Sequence, residues 1–135
     1  MELTQEIRAR RAGQGDPRAL VGEFRRTPVL VPLSEGGLMS AAYGGVRWIY
    51  AFTGEEALAR FLLARGAAAD QPCDYEAVLG ARLLDRVIPA IDGPAGVAVD
   101  VADLEGSMLF PPARGIVPDE AAVDVGPEAS AGGAR

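Results

Sequence analysis

The chain has 135 residues and a formal net charge of −6, which is the length of one domain and the wrong sign for a general nucleic-acid or anionic-membrane binder. It contains no histidine, no lysine and a single cysteine. These absences exclude the commonest general base and zinc ligand, a Schiff-base lysine, a nucleotide-binding P-loop, and a thiolate metal cluster within one chain. We therefore expect no catalytic residues, no cofactor and no bound metal.

The same features predict the compartment. The first residues include acids where a signal peptide would have bases, and no apolar run approaches the roughly 18–20 residues of a membrane-spanning helix. Cys73 has no cysteine partner for a disulfide within the chain. We expect a cytoplasmic protein that does not associate with membranes.

Two helices are predicted in the first part of the chain. The segment 2–12 has an apolar stripe of only Leu3 and Ile7, so a helix there needs a surface on which to dock. Asp16 is a typical N-cap for a second helix, 17–26, which begins with proline. The arginines of this region alternate with acids, a pattern that favours a solvated helical surface.

A strand and a loop are predicted next. The segment 28–33 is rich in β-branched residues, and its two prolines favour either a strand at a sheet edge or a strand that ends early. The segment 34–45 holds four glycines and predicts a mobile loop. Because this loop carries Met39 and Tyr43, two large side chains on a connector, it is the predicted contact surface.

The segment 46–52 predicts a central strand, because both of its faces are largely apolar. One face carries Val46, Trp48, Tyr50 and Phe52, and the other carries Arg47, Ile49 and Ala51. Alternating aromatic residues in a strand are commonly packed in a core, which is our interpretation here. A ligand pocket lined by the aromatic face is the alternative.

Helices and short strands are predicted in the rest of the chain. Thr53 and Glu56 match a capping box for a helix that ends at Gly66 and buries Leu58, Phe61 and Leu62. A fourth helix is predicted from an N-cap at Asp74 to a kink or end at Pro89. Two strands are predicted at 96–101 and 107–110.

Two groups of side chains were considered for chemistry. Cys73 precedes a predicted helix N-terminus, which favours a thiolate, but Asp70 and Asp74 oppose this effect, so we favour an incidental thiol. The second group is three carboxylates within six residues: Asp100, Asp103 and Glu105. They could bind Mg²⁺ or Ca²⁺ or act as an acid–base pair. Their spacing does not match a calcium loop, so we favour a turn in which an aspartate caps backbone amides.

The order of these elements resembles the N-terminal domain of the SseB-like family. The resemblance lies in Val-Pro-Leu at 31–33, Phe-Thr-Gly-Glu-Glu-Ala-Leu at 52–58 and the strand at 96–101. The last segment departs from the family pattern, since Asp100-Val101 stands where the family tends to have Asn-Pro. The resemblance covers roughly 17–112 and implies a small α+β domain, widespread in actinobacteria, without established catalytic residues. No active site is therefore carried over.

We predict an α+β fold with a small, mainly antiparallel sheet of three to five strands packed against two or three helices. The predicted organisation is an accessory N-terminal helix at 1–15, an SseB-like domain at 16–113 and a flexible acidic tail at 114–135.

The resulting functional hypothesis is a non-enzymatic protein-interaction module that binds a partner protein or associates with itself. The candidate contact residues are Met39, Tyr43, Leu3 and Ile7. Three alternatives stay open. The first is an immunity-type protein whose acidic surface neutralises a basic toxin. The second is a small-molecule sensor that uses the aromatic strand face. The third is a carboxylate- or metal-dependent enzyme that uses the acids after the third strand.

Overall fold

A computed structural model describes residues 2–68 and 72–123, and it has the predicted α+β architecture. The elements in chain order are α1 (Leu3–Arg11), α2 (Pro17–Arg26), β1 (Pro28–Ser34), β2 (Gly37–Leu38), β3 (Ser40–Tyr43), β4 (Val46–Ala51), α3 (Glu55–Ala64), β5 (Tyr75–Leu79), α4 (Gly80–Arg82), a π-helical turn (Leu83–Val87), α5 (Ile88–Ala90), β6 (Ala95–Val99), β7 (Met108–Phe110) and a 3₁₀ turn (Asp119–Ala121).

The strands form two mostly antiparallel sheets. One has the order β2-β1-β5, and the other has the order β3-β4-β6-β7, in which β4 and β6 run parallel. Leu30 and Phe52 join the sheets by two backbone hydrogen bonds of 2.8 Å. Because α3 to α5 lie between β4 and β6 in the chain, the parallel pair is connected by a helical crossover.

The prediction of an edge position for β1 is wrong, since β1 lies between β2 and β5. On the side that faces β5, the backbone hydrogen bonds of β1 and its flanking residue involve odd-numbered residues. Leu33 N donates to Asp74 O (2.9 Å), and Gly80 N donates to Thr27 O (2.9 Å). In an antiparallel pair these positions alternate, so the nitrogens of Pro28 and Pro32 face away from β5. The prolines therefore remove no hydrogen bond from that ladder.

The predicted mobile loop at 34–45 is also wrong, because two tight hairpins occupy it. β2 pairs with β1 across Glu35 and Gly36, whose φ angles are 52° and 85°. β3 pairs with β4 across Gly44 and Gly45, whose φ angles are 64° and 82°. Two successive positive φ angles are the requirement of a two-residue type I′ turn, which explains the glycines.

The predicted helix from Asp74 begins later than expected. Residues 75–79 form β5, in which Val78 pairs with Val29 of β1, and the helical segment starts at Gly80. A Cβ atom at Gly80 would lie 1.9 Å from Phe24 O, so only glycine permits this chain reversal against α2. The helical segment then ends at Ala90, directly after Pro89, as predicted.

The main core lies between the helices and the inner face of the four-stranded sheet. Its largest fully buried side chains include Phe24, Ile49 and Phe110, and the rings of Phe24 and Phe110 stack with centroids 4.5 Å apart. As predicted, Asp16 caps α2 by accepting a hydrogen bond from Arg18 N (3.0 Å).

Helix α1 is an integral part of this core. Leu3 and Ile7 are only 3% and 0% exposed, and Arg11 donates hydrogen bonds to the carbonyl oxygens of Ser107 (3.1 Å) and Leu104 (2.8 Å). The helix therefore docks on its own domain. Its two apolar side chains are unavailable as partner contacts, which corrects that part of the predicted contact surface.

The structured domain also extends beyond the predicted boundary at residue 113. Val117 is buried in the main core, and Val123 N donates a hydrogen bond to Pro112 O (2.9 Å). The predicted flexible tail is therefore wrong for 114–123, while its remainder, 124–135, lies outside the described residues. In the part of the chain that is described, no helix is long and apolar enough to cross a membrane.

Candidate functional site

The outer face of the four-stranded sheet carries an apolar groove of about 250 Å³. We call this surface the aromatic face, and it is lined by Ala41, Tyr43, Trp48, Tyr50, Ala98 and Leu109. The residues come from all four strands of the sheet, because directly paired positions share a face. The lining therefore consists of three aromatic side chains, two alanine methyl groups and one leucine.

The aromatic face is exposed because helix α3 covers only one end of it. Phe52, Leu58 and Phe61 form a small second core beneath α3, and Tyr50 packs at its border, with its ring centroid 4.9 Å from that of Phe61. Trp48, two residues before Tyr50, lies beyond the helix and is half-buried. The interpretation of the whole aromatic stripe as core is therefore wrong: Phe52 is in a core, whereas Trp48 lines an open groove.

The Trp48 ring packs closely against Gly96, the residue of β6 with which Trp48 is paired. A Cβ atom at Gly96 would lie 2.7 Å from Cζ3 of Trp48 and 2.6 Å from Phe110 O. The indole Nε1 donates a hydrogen bond to Tyr43 O (3.3 Å), which joins the ring to the end of β3. The glycine and this hydrogen bond together fix the orientation of the largest side chain in the groove.

The exposed area of the aromatic face is that of a small interaction surface. Tyr43 and Leu109 are 82% and 54% exposed. Since an aromatic side chain has roughly 150–250 Å² of surface, the exposed part of the face is on the order of 400 Å². Single patches of this size on monomers are often functional, but a stable protein–protein interface buries about 800 Å² per partner.

Among the described residues, Arg65 places a cation at the α3 end of the aromatic face. The guanidinium carbon of Arg65 is 5.8 Å from the Tyr50 ring centroid and 5.1 Å from that of Phe61. Contacts of this kind contribute about 0.5–1 kcal/mol at exposed sites and restrict the motion of the side chain. The groove thus has apolar walls and, at one end, a positioned positive charge.

An open backbone edge runs beside the groove. Among the described residues, β3 is the outermost strand of its sheet. Ala41 and Tyr43 hydrogen-bond toward β4 in the register of this hairpin, so the N–H and C=O groups of Ser40 and Ala42 point away from the sheet. Such an edge can accept an additional strand.

The predicted contact residues are thus divided by the structure. Tyr43 is highly exposed on the aromatic face, whereas Met39 is half-buried and packs against the second core around Phe52. Leu109, Ala41 and Gly96 belong to the groove or support it, and they were not among the predicted site residues. The alternation of β4 could have indicated such a surface, but only the position of α3 determines which part of it is uncovered.

The carboxylate of Asp100 holds together the ends of the two parallel strands. Asp100 is only 4% exposed, and it accepts hydrogen bonds from Thr53 N (2.9 Å) and Thr53 Oγ1 (2.7 Å). Burial raises the pKa of Asp100 above its usual range, although both bonds from Thr53 oppose that shift. The predicted capping box is wrong, because the N-cap of α3 is Gly54 and the Thr53 hydroxyl is bonded to Asp100 instead of to the helix.

The neighbouring acids also have structural partners. Asp103 accepts a hydrogen bond from Glu105 N (3.0 Å), which is the turn geometry that we favoured from the sequence. Arg8 lies 3.9 Å from Asp103 and 3.8 Å from Glu105. Within residues 2–68 and 72–123, no group of three or more acidic or cysteine side chains is arranged to hold a metal ion.

Cys73 has the environment of an unreactive thiol. Burial raises its pKa, and the negative charge of Asp74 raises it further. Cys73 precedes a strand and not the predicted helix, so the helix dipole that was expected to favour the thiolate is absent at this position. These observations support the interpretation of an incidental cysteine.

Comparisons with protein-family models, with curated proteins and with solved structures find no match to this chain. The arguments for a function therefore come from the site itself.

Proposed function

We propose that the protein is a non-enzymatic, cytoplasmic interaction module of the SseB-like type that binds a short extended segment of a partner protein on its aromatic face. The observation that supports this proposal is the open groove around Trp48, with Tyr43 exposed beside it. Exposed Tyr and Trp side chains are typical anchors of protein interfaces because they bury much area at low conformational cost.

The size and edges of the face favour an extended peptide as the occupant. An exposed area on the order of 400 Å² is about half of what each partner contributes to a stable dimer, which disfavours a second copy. The backbone groups of Ser40 and Ala42 can pair with an added strand, and the methyl side chain of Ala41 leaves the Trp48 ring accessible from that edge. Backbone pairing would supply affinity, and the groove would select a side chain.

The other functional hypotheses have weaker support. A groove of about 250 Å³ lies below the roughly 300–1,000 Å³ of pockets that enclose small molecules. The Asp100 carboxylate is bonded through both oxygens to Thr53, which favours a structural role over acid–base chemistry. The aromatic face itself has no acidic lining residue that would attract a basic toxin.

The proposal is tested by selecting a phage-displayed random decapeptide library on the immobilised full chain. Enriched peptides are synthesised and titrated in solution, with the fluorescence of Trp48, the single tryptophan of the chain, as the reporter. We expect Tyr43→Ser to weaken binding about tenfold or more, as removal of an interface anchor does. Leu104→Ser is the matched control, since Leu104 is 87% exposed and does not line the groove.

Peptides that bind the wild type and Leu104→Ser equally, but bind Tyr43→Ser weakly, would support the proposal. Absence of any enriched peptide, or binding that Tyr43→Ser does not change, would refute it. Light scattering is measured on the same samples. A dimer that Tyr43→Ser dissociates would show that a second copy occupies the face, and it would overturn the peptide assignment.

A further inference from the structure

We propose that Arg65 selects an acidic residue in the bound segment, at the position two residues from the side chain that fills the groove. This inference rests on the proposed function and specifies the chemistry of the partner: an extended segment with one apolar anchor and one carboxylate on the same face.

The spacing follows from the register of β3 and β4. The groove is centred on the pair Ala41 and Trp48, and Tyr50 N donates to Met39 O (3.1 Å) at the next pair on the same face. Tyr50 follows Trp48 on the same face of β4, two residues further along the strand. Because Arg65 lies over the Tyr50 ring, its charge is located two residues along the strand from the centre of the groove. Same-face residues of a strand are separated by two positions, or about 6.6–6.8 Å. A strand added along β3 would therefore place alternate side chains beside the groove and beside Arg65.

Arg65 is distinguished by its stacking on aromatic rings, whereas three other arginines of the domain lie against carboxylates. Arg25 forms a bidentate ion pair with Asp85, Arg26 pairs with Glu23, and Arg60 lies 3.9 Å from Asp103. For Arg65, in contrast, none of the described carboxylates forms an ion pair, and its stacking partners are the rings of Tyr50 and Phe61. Its N–H groups are thus available to a ligand, while stacking holds the planar group in place.

A guanidinium group fits a carboxylate. It is a cation whose parallel N–H groups match the two oxygens of Asp or Glu. The ion pair between Arg65 and the carboxylate would lie at the rim of the interface and remain partly solvated, as an exposed ion pair does. We therefore expect it to increase the affinity for the peptide about two- to five-fold, and to contribute less as the salt concentration rises.

The test repeats the peptide selection on the wild type, Arg65→Gln and Arg65→Glu, and retains only peptides whose binding is lost on Tyr43→Ser. On the wild type we expect enrichment of Asp or Glu two positions from an apolar residue. On Arg65→Glu we expect Lys or Arg at that position, and on Arg65→Gln no charge preference. Arg82→Glu, which makes the same change of net charge on helix α4, is the control and should retain the acidic preference.

A solution measurement completes the test. Replacing the peptide's acidic residue by its amide should weaken binding to the wild type about two- to five-fold and leave binding to Arg65→Gln unchanged. If Tyr43-dependent peptides show the same charge composition on the wild type and Arg65→Glu, the inference about Arg65 is wrong and the proposed function survives. If no peptide depends on Tyr43, both are wrong.

Discussion

The hydrogen bonds between Asp100 and Thr53 give the most direct prediction about stability. Asp100 joins the carboxyl ends of β4 and β6 and has a φ of 51°, in the left-handed region that side chains other than Asn and Asp rarely adopt. Three substitutions separate its contributions. Asp100→Asn retains one acceptor and tolerates the backbone angle, Asp100→Gly retains only the backbone angle, and Asp100→Ala retains neither.

The expected losses follow from these differences. Asp100→Gly loses two hydrogen bonds to a charged acceptor at 2.9 and 2.7 Å, but it also relieves the cost of burying a carboxylate. We expect a net loss of about 1–3 kcal/mol in the free energy of unfolding. Asp100→Ala should lose about 1 kcal/mol more, because a Cβ in the left-handed region is strained. Asp100→Asn should lose about 1 kcal/mol or less.

The raised pKa of Asp100 adds a dependence on pH. The folded protein binds the proton of this carboxyl group more tightly than the unfolded chain does, because burial disfavours the charged form. The contribution of Asp100 to stability is therefore fully present below the pKa of the unfolded state and is lost as pH rises through the folded pKa. Since asparagine does not titrate, the stability advantage of the wild type over Asp100→Asn should decrease as pH rises above the usual aspartate pKa of about 3.9.

Urea unfolding followed by circular dichroism measures each of these quantities. Glu105→Ala is the control, since the side chain is 87% exposed and the change should stay within about 0.5 kcal/mol. Equal stabilities of the wild type and Asp100→Gly would refute the role of the two hydrogen bonds. A wild-type advantage over Asp100→Asn that is constant or grows with pH would refute the direction of the pKa shift.

Three further predictions concern separate parts of the fold. Gly96→Ala should lower the free energy of unfolding by about 1–3 kcal/mol and shift the fluorescence of Trp48, because the new methyl group would lie 2.7 Å from the ring. Gly37→Ala, with open space around its Cβ, is the control, and an unchanged Trp48 spectrum in Gly96→Ala would contradict the close approach. Arg11→Ala should lower the free energy of unfolding by about 1 kcal/mol and increase the rate of amide hydrogen exchange in α1, because two hydrogen bonds to backbone carbonyls are lost. Unchanged exchange rates would mean that the apolar contacts alone hold the helix. Cys73 should react with a disulfide reagent more slowly in the folded protein than in urea at neutral pH, because its raised pKa lowers the thiolate fraction, and a faster folded reaction would contradict that direction.

The sequence predicts local structure well where turn chemistry and periodicity agree. The N-cap at Asp16 and the alternation of β4 and β6 led to elements close to those observed. The hairpin turn at Gly44 and Gly45 was equally readable, since two glycines between short apolar runs are a hairpin signal. The loop prediction is wrong because glycine both interrupts regular structure and supplies the positive φ angles of a tight turn, and here Gly44 and Gly45 do the second.

The remaining errors have a tertiary cause. The sequence of residues 75–79 is compatible with a helix or a strand. It forms a strand because it pairs with β1 along the edge that β2 leaves open. Val117 has few apolar neighbours in the sequence, yet it is 4% exposed because the returning chain carries it into the main core. Neither the strand at 75–79 nor the burial of Val117 can be predicted from the neighbouring residues in the sequence alone.

The aromatic face carries residues that the stability of the fold does not require. Folding requires Ile49 and Ala51 on the inner face and Phe52 beneath α3, and these residues are fully buried. It does not require Tyr43, which is 82% exposed and could be polar at little cost in stability. Trp48 likewise occupies its position only because Gly96 leaves room for the ring, and a glycine within a strand is itself destabilising. An exposed aromatic face maintained by such an arrangement is easier to explain by binding than by stability. Tyr43→Ser should therefore weaken peptide binding about tenfold or more, while leaving the free energy of unfolding within about 0.5 kcal/mol.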